Sequence, residues 1–203
     1  MPSVGRFGIV GKKGLAIDKV TLRVEMVVQA PADSRPLIAR SEKAFGMLPS
    51  LHAVMAKSPG LLEDYRKLNQ LFQDSSFDAA EKTVVWQSIN VEHACHYCVP
   101  AHTGIAHAMK VDQSLIDALR DETPIADPKL EALRTFTLKM VRQRGEVNDA
   151  DAAEFIKAGY TQRHVLEVIL GVAQKVMSNY TNHVAKTPVD AGFQKYAWTK
   201  RSA

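Results

Sequence analysis

Both cysteines of the chain stand in one C-x-x-C, Cys95 and Cys98, within HACHYCVPAHTGIAHAMK (residues 93–110), which also holds four of the seven histidines. Thiols gathered in this way can carry redox chemistry, ligate a metal, or simply be buried side by side. Pro100 constrains the local structure most. Proline lacks an N–H and clashes with the preceding turn, so it fits a helix only in the first turn. A helix through this stretch must therefore begin at about Tyr97 or Cys98. The pair then lies at a helix N-terminus, where unpaired N–H groups and the helix dipole stabilise an anion. That position predicts a depressed pKa for the Cys98 thiol, and the thiolate is the form that attacks peroxides and disulfides. His102 follows Cys98 by four residues, on the same helix face one turn on. From there it can take or return a proton, directly or through a water. Dithiol redox chemistry needs this combination.

A zinc site would draw on Cys95, Cys98 and His102, with His93, His96 or His107 as the fourth ligand. Structural zinc usually takes two ligand pairs on separate elements, whereas all of these candidates share one contiguous stretch. No metal is predicted. Covalent haem asks for a histidine directly after the second cysteine, and Val99 stands there. Two inert buried thiols are the plain alternative, since free cysteine is commonly buried.

The elements that must position these groups are mostly helical. Lys19 to Gln29, KVTLRVEMVVQ, alternates apolar and polar residues with a strand period, yet no strand of similar strength follows it. A lone strand makes no stable sheet. Residues 1–30 are therefore expected to form an extended N-terminal arm, ended by Pro31 and Pro36, and residues 31–203 a single domain. From Leu37 the spacing of apolar residues turns to three and four. Pro59 precedes LLEDYRKLNQLF. Asp78 and Glu81 have the spacing of a capping box ahead of Val84, Val85 and Ile89. Asp127 and Pro128 open a helix that stops at Gly145, Gly159 closes a short one, and Thr161 caps a long apolar helix halted before Pro188. The pattern predicts about seven or eight helices in an all-α domain.

Composition bounds the class. Hydrophobic residues make up 46% and charged residues 24% of 203, with a formal charge of +4, an ordinary globular profile. The basic residues form no dense cluster with interleaved aromatics, which argues against nucleic acid as partner. No apolar run approaches the roughly 20 residues that span a bilayer. Basic residues interrupt the apolar N-terminus, so no secretory signal is expected, and two cysteines make no disulfide framework. The expected compartment is the cytoplasm.

The segment EKTVVWQSINVEHACHYCVPAHTGIA, Glu81 to Ala106, resembles the core motif of the carboxymuconolactone decarboxylase superfamily, in its alkyl hydroperoxidase D-like, peroxidase-related branch. The shared elements are an acidic residue beginning a helix, then C-x-Y-C, then a histidine four positions after the second cysteine. MLPSLHAVMAKSPGLLEDY and SNYTNHVAKTPVDAGF, on either side, are also similar, so the resemblance spans roughly residues 40 to 195. It implies a compact all-α multi-helix fold, a homo-oligomer of two or more chains, and no bound cofactor. It also implies a thiol peroxidase in antioxidant defence. There Cys98 attacks the hydroperoxide, Cys95 resolves the sulfenic acid to a disulfide, an external dithiol reductant protein reopens it, and His102 relays the proton. Tyr97 stands where the hydroperoxidase D type has a histidine; a phenol with an ordinary pKa near 10 is a donor at neutral pH. Decarboxylase members use a non-thiol site, so the dithiol argues against a lyase. The alternative from another class is a metal-binding or redox-sensing interaction protein on the same fold.

For the carboxylate of the relay, the resemblance points to Thr83, with Glu81 displaced from it by two residues and Glu92 the rival just before Cys95. Glu81 and Glu92 share one helix face but lie roughly 16 Å apart along its axis, and a chain reversal near Ala94 would bring Glu92 closer to Cys98. Glu81 also reads as the capping-box partner of Asp78. Among the other histidines, His96 is expected to face solvent, and His107 to lie on a helix surface or interface. His183 suits a helix C-terminus or an interface. Trp86, Phe77 and the apolar stripe of the last helix read as core.

Overall fold

A computed structural model describes residues 30–200; the expected N-terminal arm and its strand-like stretch lie outside the described residues. Among the described residues nine α-helices run in order: α1 Arg35–Phe45, α2 Ser50–Met55, α3 Pro59–Gln73, α4 Ala79–Glu92, α5 Cys98–Ala108, α6 Gln113–Asp121, α7 Pro128–Arg142, α8 Asp149–Lys157 and α9 Gln162–Ala185. A 3-10 segment, Ala191–Tyr196, follows them. The domain is all-α, and no strand occurs among the described residues. The number exceeds the seven or eight expected. Every residue of the six-residue α2 is buried, so this helix has no polar face from which a period could be read.

The helix ends follow local chemistry. Asp78 accepts from Glu81 N–H at 2.8 Å while the Glu81 carboxylate accepts from Asp78 N–H at 3.0 Å, a complete capping box at the start of α4. Asp127 caps α7 with Pro128 in its first turn. Gly159, at φ +100°, takes up the left-handed turn between α8 and α9, and Thr161 forms a capping box with His164.

Two apolar clusters make up the core. One gathers Phe72, Val84, Val85, Trp86, Leu133, Phe136, Phe155 and Val168. The other surrounds the dithiol with Leu51, Met55, Leu62, Tyr65, Tyr97 and Ala101. Helix α9 packs on α2, α3, α4, α5 and α7, and Gly171 permits this approach. A Cβ at Gly171 would stand 2.7 Å from Phe72 Cε2 and 2.8 Å from Val85 Cγ1. No helix among the described residues is long and apolar enough to cross a membrane.

Candidate active site

The turn between α4 and α5 sets the two sulfurs. Ala94 takes the left-handed conformation, φ +51°, and Ala94 N–H and Cys95 N–H donate to the carbonyls of Val91 and Asn90, both at 2.9 Å. This is the Schellman closure of α4. It is made here by alanine, which tolerates positive φ less well than glycine. The Lys200 ammonium adds a cap on the carbonyls of Val91 and Glu92, at 3.2 and 3.4 Å. The chain thus reverses at Ala94, and α5 begins at Cys98 with Pro100 in its first turn.

Both cysteines are free and buried, Cys95 at 0% and Cys98 at 2% exposure. Cys98 N–H donates to Cys95 Sγ at 3.3 Å. Burial opposes ionisation of Cys98. A hydrogen bond from Cys95, the Lys175 ammonium, and the side chains of Ser178 and Asn179 outweigh it and draw the thiol down to about 5. Asn182 Nδ2 also donates to Cys98 Sγ, at 3.2 Å. Cys95 moves the opposite way: its bond to Cys98, its burial and the neighbouring thiolate all push it up, so it keeps its proton. These groups come from Cys95 and from α9 across the site, and Cys98 also stands at the start of α5.

His102 sits one turn along α5 and is buried, with its ring 4.9 Å from that of Trp86. Lys175 Nζ donates to its Nε2 at 2.8 Å. Burial, and then the adjacent ammonium, hold the imidazole well below its ordinary value, so it is neutral. Its proton consequently lies on Nδ1, which is buried without a partner.

The Tyr97 hydroxyl is clamped by Asp190. It donates to Asp190 Oδ2 at 2.6 Å, while Asp190 Oδ1 accepts from Ser50 N–H at 3.0 Å and Ser50 Oγ at 2.5 Å. Burial and the Asp190 carboxylate push the phenol far up. Tyr97 thus ties the turn before α5 to α2 and to the segment after α9.

The structure brings Cys95, Cys98 and His102 together with Lys175 and sends both carboxylates elsewhere. Glu81 Oε1 pairs with Lys129 at 2.9 Å as well as capping α4. Glu92 takes a two-point bond from Arg142, at 2.9 and 2.7 Å. Among the described residues neither carboxylate bonds to Cys95, Cys98 or His102, although the chain does turn at Ala94. Their partners hold both below the usual carboxylate range. For Glu81 burial opposes this, and Lys129 and Asp78 N–H overcome it; for Glu92 the Arg142 hydrogen bond leads.

The other histidines are also engaged. His93 Nδ1 bonds to Asn179 Oδ1 at 2.9 Å. His96, expected to face solvent, is half-buried with Nε2 donating to the Thr187 carbonyl at 2.8 Å. His107 stacks on Tyr196, centroids 5.1 Å apart. Among the described residues no three His, Cys, Asp or Glu side chains gather as a metal-ligand set. Trp86 and Phe77 lie in the core, at 3% and 2% exposure.

The residues that sequence reasoning missed lie on α9. Gln174, Lys175, Ser178, Asn179 and Asn182 are all 0% exposed. Gln174 accepts from Trp86 Nε1 and donates to Asn69, both at 2.8 Å. Asn179 donates to Asn90 at 3.0 Å, Asn90 to Gln87 at 3.1 Å, and Gln87 to the Val99 carbonyl at 3.1 Å. This chain of amides fixes the first turn of α5 against α4 and α9. The signal was available in the sequence: Lys175, Ser178, Asn179 and Asn182 recur at helical spacing within an apolar helix.

The nine helices of the described residues, with the buried C-x-x-C running into the fifth, have the all-α fold of an alkylhydroperoxidase D core. Solved structures share it. A peroxidase-related protein from Ralstonia eutropha JMP134, an alkylhydroperoxidase AhpD core, aligns at a TM-score of 0.71 with 21% identity over 82% of this chain and 90% of its own. A peroxidase-related protein from Silicibacter sp. TM1040 aligns at 0.69 with 18% identity, over 81% and 88%. The debrominase Bmp8 aligns at 0.67 with 18% identity, over 83% and 91%. No family model and no curated protein matches the sequence.

Proposed function

We propose that the chain is a dithiol peroxidase, an oxidoreductase that reduces hydroperoxides through Cys98 and Cys95 and serves in antioxidant defence in the cytoplasm. The observation that carries this reading is the buried pair itself, with Cys98 N–H on Cys95 Sγ at 3.3 Å and Asn182 Nδ2 on Cys98 Sγ at 3.2 Å, surroundings that lower the Cys98 thiol and raise the Cys95 one. The Cys98 thiolate attacks the terminal peroxide oxygen. An S–O bond forms, the O–O bond breaks, and the leaving alkoxide takes a proton. The Cys95 thiol then attacks the sulfenic acid, water leaves, and the disulfide forms. An external dithiol protein reduces it. The apolar lining by Leu51, Met55, Tyr65 and Tyr97 favours small or alkyl hydroperoxides over charged ones.

The working unit is proposed to be a homo-oligomer. Leu166, Ile169, Tyr180 and Val184 are exposed along α9 at 67, 46, 55 and 67%, an apolar stripe suited to self-association. Light scattering at micromolar concentration should give a dimer or larger, and a monomer would remove this part of the reading.

The test is peroxide consumption with a dithiol reductant by the wild type, Cys95→Ser and Cys98→Ser. Both variants should lose turnover. Cys95→Ser should accumulate a trappable sulfenic acid at Cys98, and Cys98→Ser none at Cys95. An adduct on Cys95 would reverse the roles. A cysteine-to-alanine variant of Bmp8 has also been solved in complex with 2,3,4-tribromopyrrole, which makes that compound the control substrate. Bromide release without peroxide consumption would replace the peroxidase reading.

A further inference from the structure

Lys175 is fully buried, and among the described residues no carboxylate stands within ion-pair distance of its Nζ. A buried charge without an opposite charge is strongly disfavoured. Its hydrogen-bond partner, His102 Nε2 at 2.8 Å, is neutral and balances nothing. The titratable groups that interact with it are His102 and Cys98 on α5 and Cys95 in the turn before α5. Tyr65, from α3, adjoins the same thiols, and burial followed by the Cys98 charge keeps its phenol protonated. On α9 itself the adjacent polar groups are the neutral Ser178 and Asn179. Cys95 keeps its proton. The Cys98 thiolate is the anion that remains.

We propose that Lys175 is both the counter-ion of the Cys98 thiolate and the source of the proton that the leaving oxygen takes, in place of a carboxylate relay. The choice of peroxide as oxidant rests on the function proposed above; the ion pair does not. The reaction balances within the site. One thiolate, one thiol, one ammonium and ROOH give a disulfide, a neutral amine, ROH and water. Sulfur loses two electrons and the O–O bond gains them. The ammonium gives one proton to the alkoxide, and the Cys95 proton leaves in the water. The release has a physical cause. Once Cys98 enters the disulfide its charge is gone, and the amine, already pulled down by burial and held up only by the two cysteines, has no anion left. Buried lysines in that position lose their proton near neutral pH. His102 accepts the hydrogen bond of Lys175 and aims it, a positioning role.

The test counts protons. The full-length reduced protein is oxidised near neutral pH with one equivalent of diamide, an azo compound that takes two electrons and two protons. The solution is weakly buffered and contains a pH indicator. Thiolate absorbance near 240 nm is followed in parallel. The wild type should lose its thiolate with close to no net proton exchange. Uptake of about one solvent proton per disulfide would show that Lys175 keeps its proton, and would overturn the proposal. Lys175→Met should move the Cys98 titration toward the free-thiol value near 8.5 and lower its alkylation rate at neutral pH at least about tenfold. An unchanged titration in that variant would also overturn it. Lys175→Arg should keep the thiolate, because guanidinium holds its proton, and should take up about one proton per disulfide while peroxide turnover falls. Diamide is not a peroxide. A protein that passes the proton count yet leaves peroxide untouched would therefore refute the peroxidase reading and leave the Lys175 assignment standing.

Discussion

Asn182 gives a quantitative check on how the thiolate is held. Its Nδ2 donates to Cys98 Sγ at 3.2 Å, while its Oδ1 is buried without a partner. Asn182→Ala removes one hydrogen bond to a charged acceptor, worth about 1.5–3 kcal/mol. At 1.36 kcal/mol per pKa unit that is a rise of about 1–2 units. The Cys98 titration should move from about 5 to between roughly 6 and 7. The fold should tolerate the change. The void costs some stability, but the substitution also removes a carbonyl oxygen that carries an unmet desolvation penalty.

The assay is the pH profile of iodoacetamide alkylation in a Cys95→Ser background, where the serine hydroxyl can still donate to the thiolate. Alkylation near pH 5.5 should fall several-fold in Asn182→Ala, since a group titrating near 6.5 is about one-tenth ionised there. Near pH 8 the two proteins should react at almost the same rate. A midpoint within a few tenths of a unit of the parent would mean that the 3.2 Å contact contributes nothing to the thiolate, and the assignment of α9 as the stabilising element would fail.

Three further outcomes follow from other contacts. Tyr97→Phe removes the donor to Asp190 and should cost about 1–3 kcal/mol in denaturant unfolding, with the Cys98 midpoint unmoved; a shifted midpoint would return Tyr97 to the chemistry. Glu81→Gln and Glu92→Gln should each slow peroxide turnover less than tenfold while lowering the melting temperature slightly. Caps are worth about 1 kcal/mol, and ion pairs whose cation is exposed, as Lys129 and Arg142 are, about 0–1 kcal/mol, so a tenfold loss in either variant would restore a carboxylate relay. Burial, and then Arg66, hold His52 at about 4 against an ordinary 6.5. Between those values the unfolded chain binds the proton that the folded one refuses, so stability falls as pH drops through this window, by about 3 kcal/mol. Urea midpoints in a Cys98→Ser background, which removes the thiol's own pH dependence, should show that slope. It should flatten in His52→Asn.

What the sequence made legible was local. Pro100 fixed the start of α5 by steric exclusion within one turn. Asp78 with Glu81, Asp127 with Pro128, and Gly159 before Thr161 act through groups three or four residues apart or closer, which spacing alone reveals. Short α2 escaped because all of it is buried, leaving no contrast to read. The partners of the two carboxylates were illegible for a related reason. Glu81 and Glu92 share a helix face with the right acidity, but side-chain direction is decided by Lys129 and Arg142, on α7 and far away in sequence. His96 was expected to face solvent for the same lack of information, since its partner is the Thr187 carbonyl beyond α9.

Lys175 is the instructive omission. Its imidazole partner lies 73 residues away, and its helix reads as core because apolar residues dominate it. Yet one buried stripe of a long helix can change character along its length. The stripe of α9 meets Phe72 and Val85 at Gly171 and, from one to three turns further on, carries Lys175, Ser178, Asn179 and Asn182 to the dithiol. The two stretches are registered by the same contact. With no Cβ at Gly171 the helix seats against α3 and α4 at one rotation, and each residue of slip would turn the polar stripe by about 100°. The packing of a glycine against a phenylalanine ring in the apolar core therefore sets which side chains face the sulfurs, and with them the charge that Cys98 can carry.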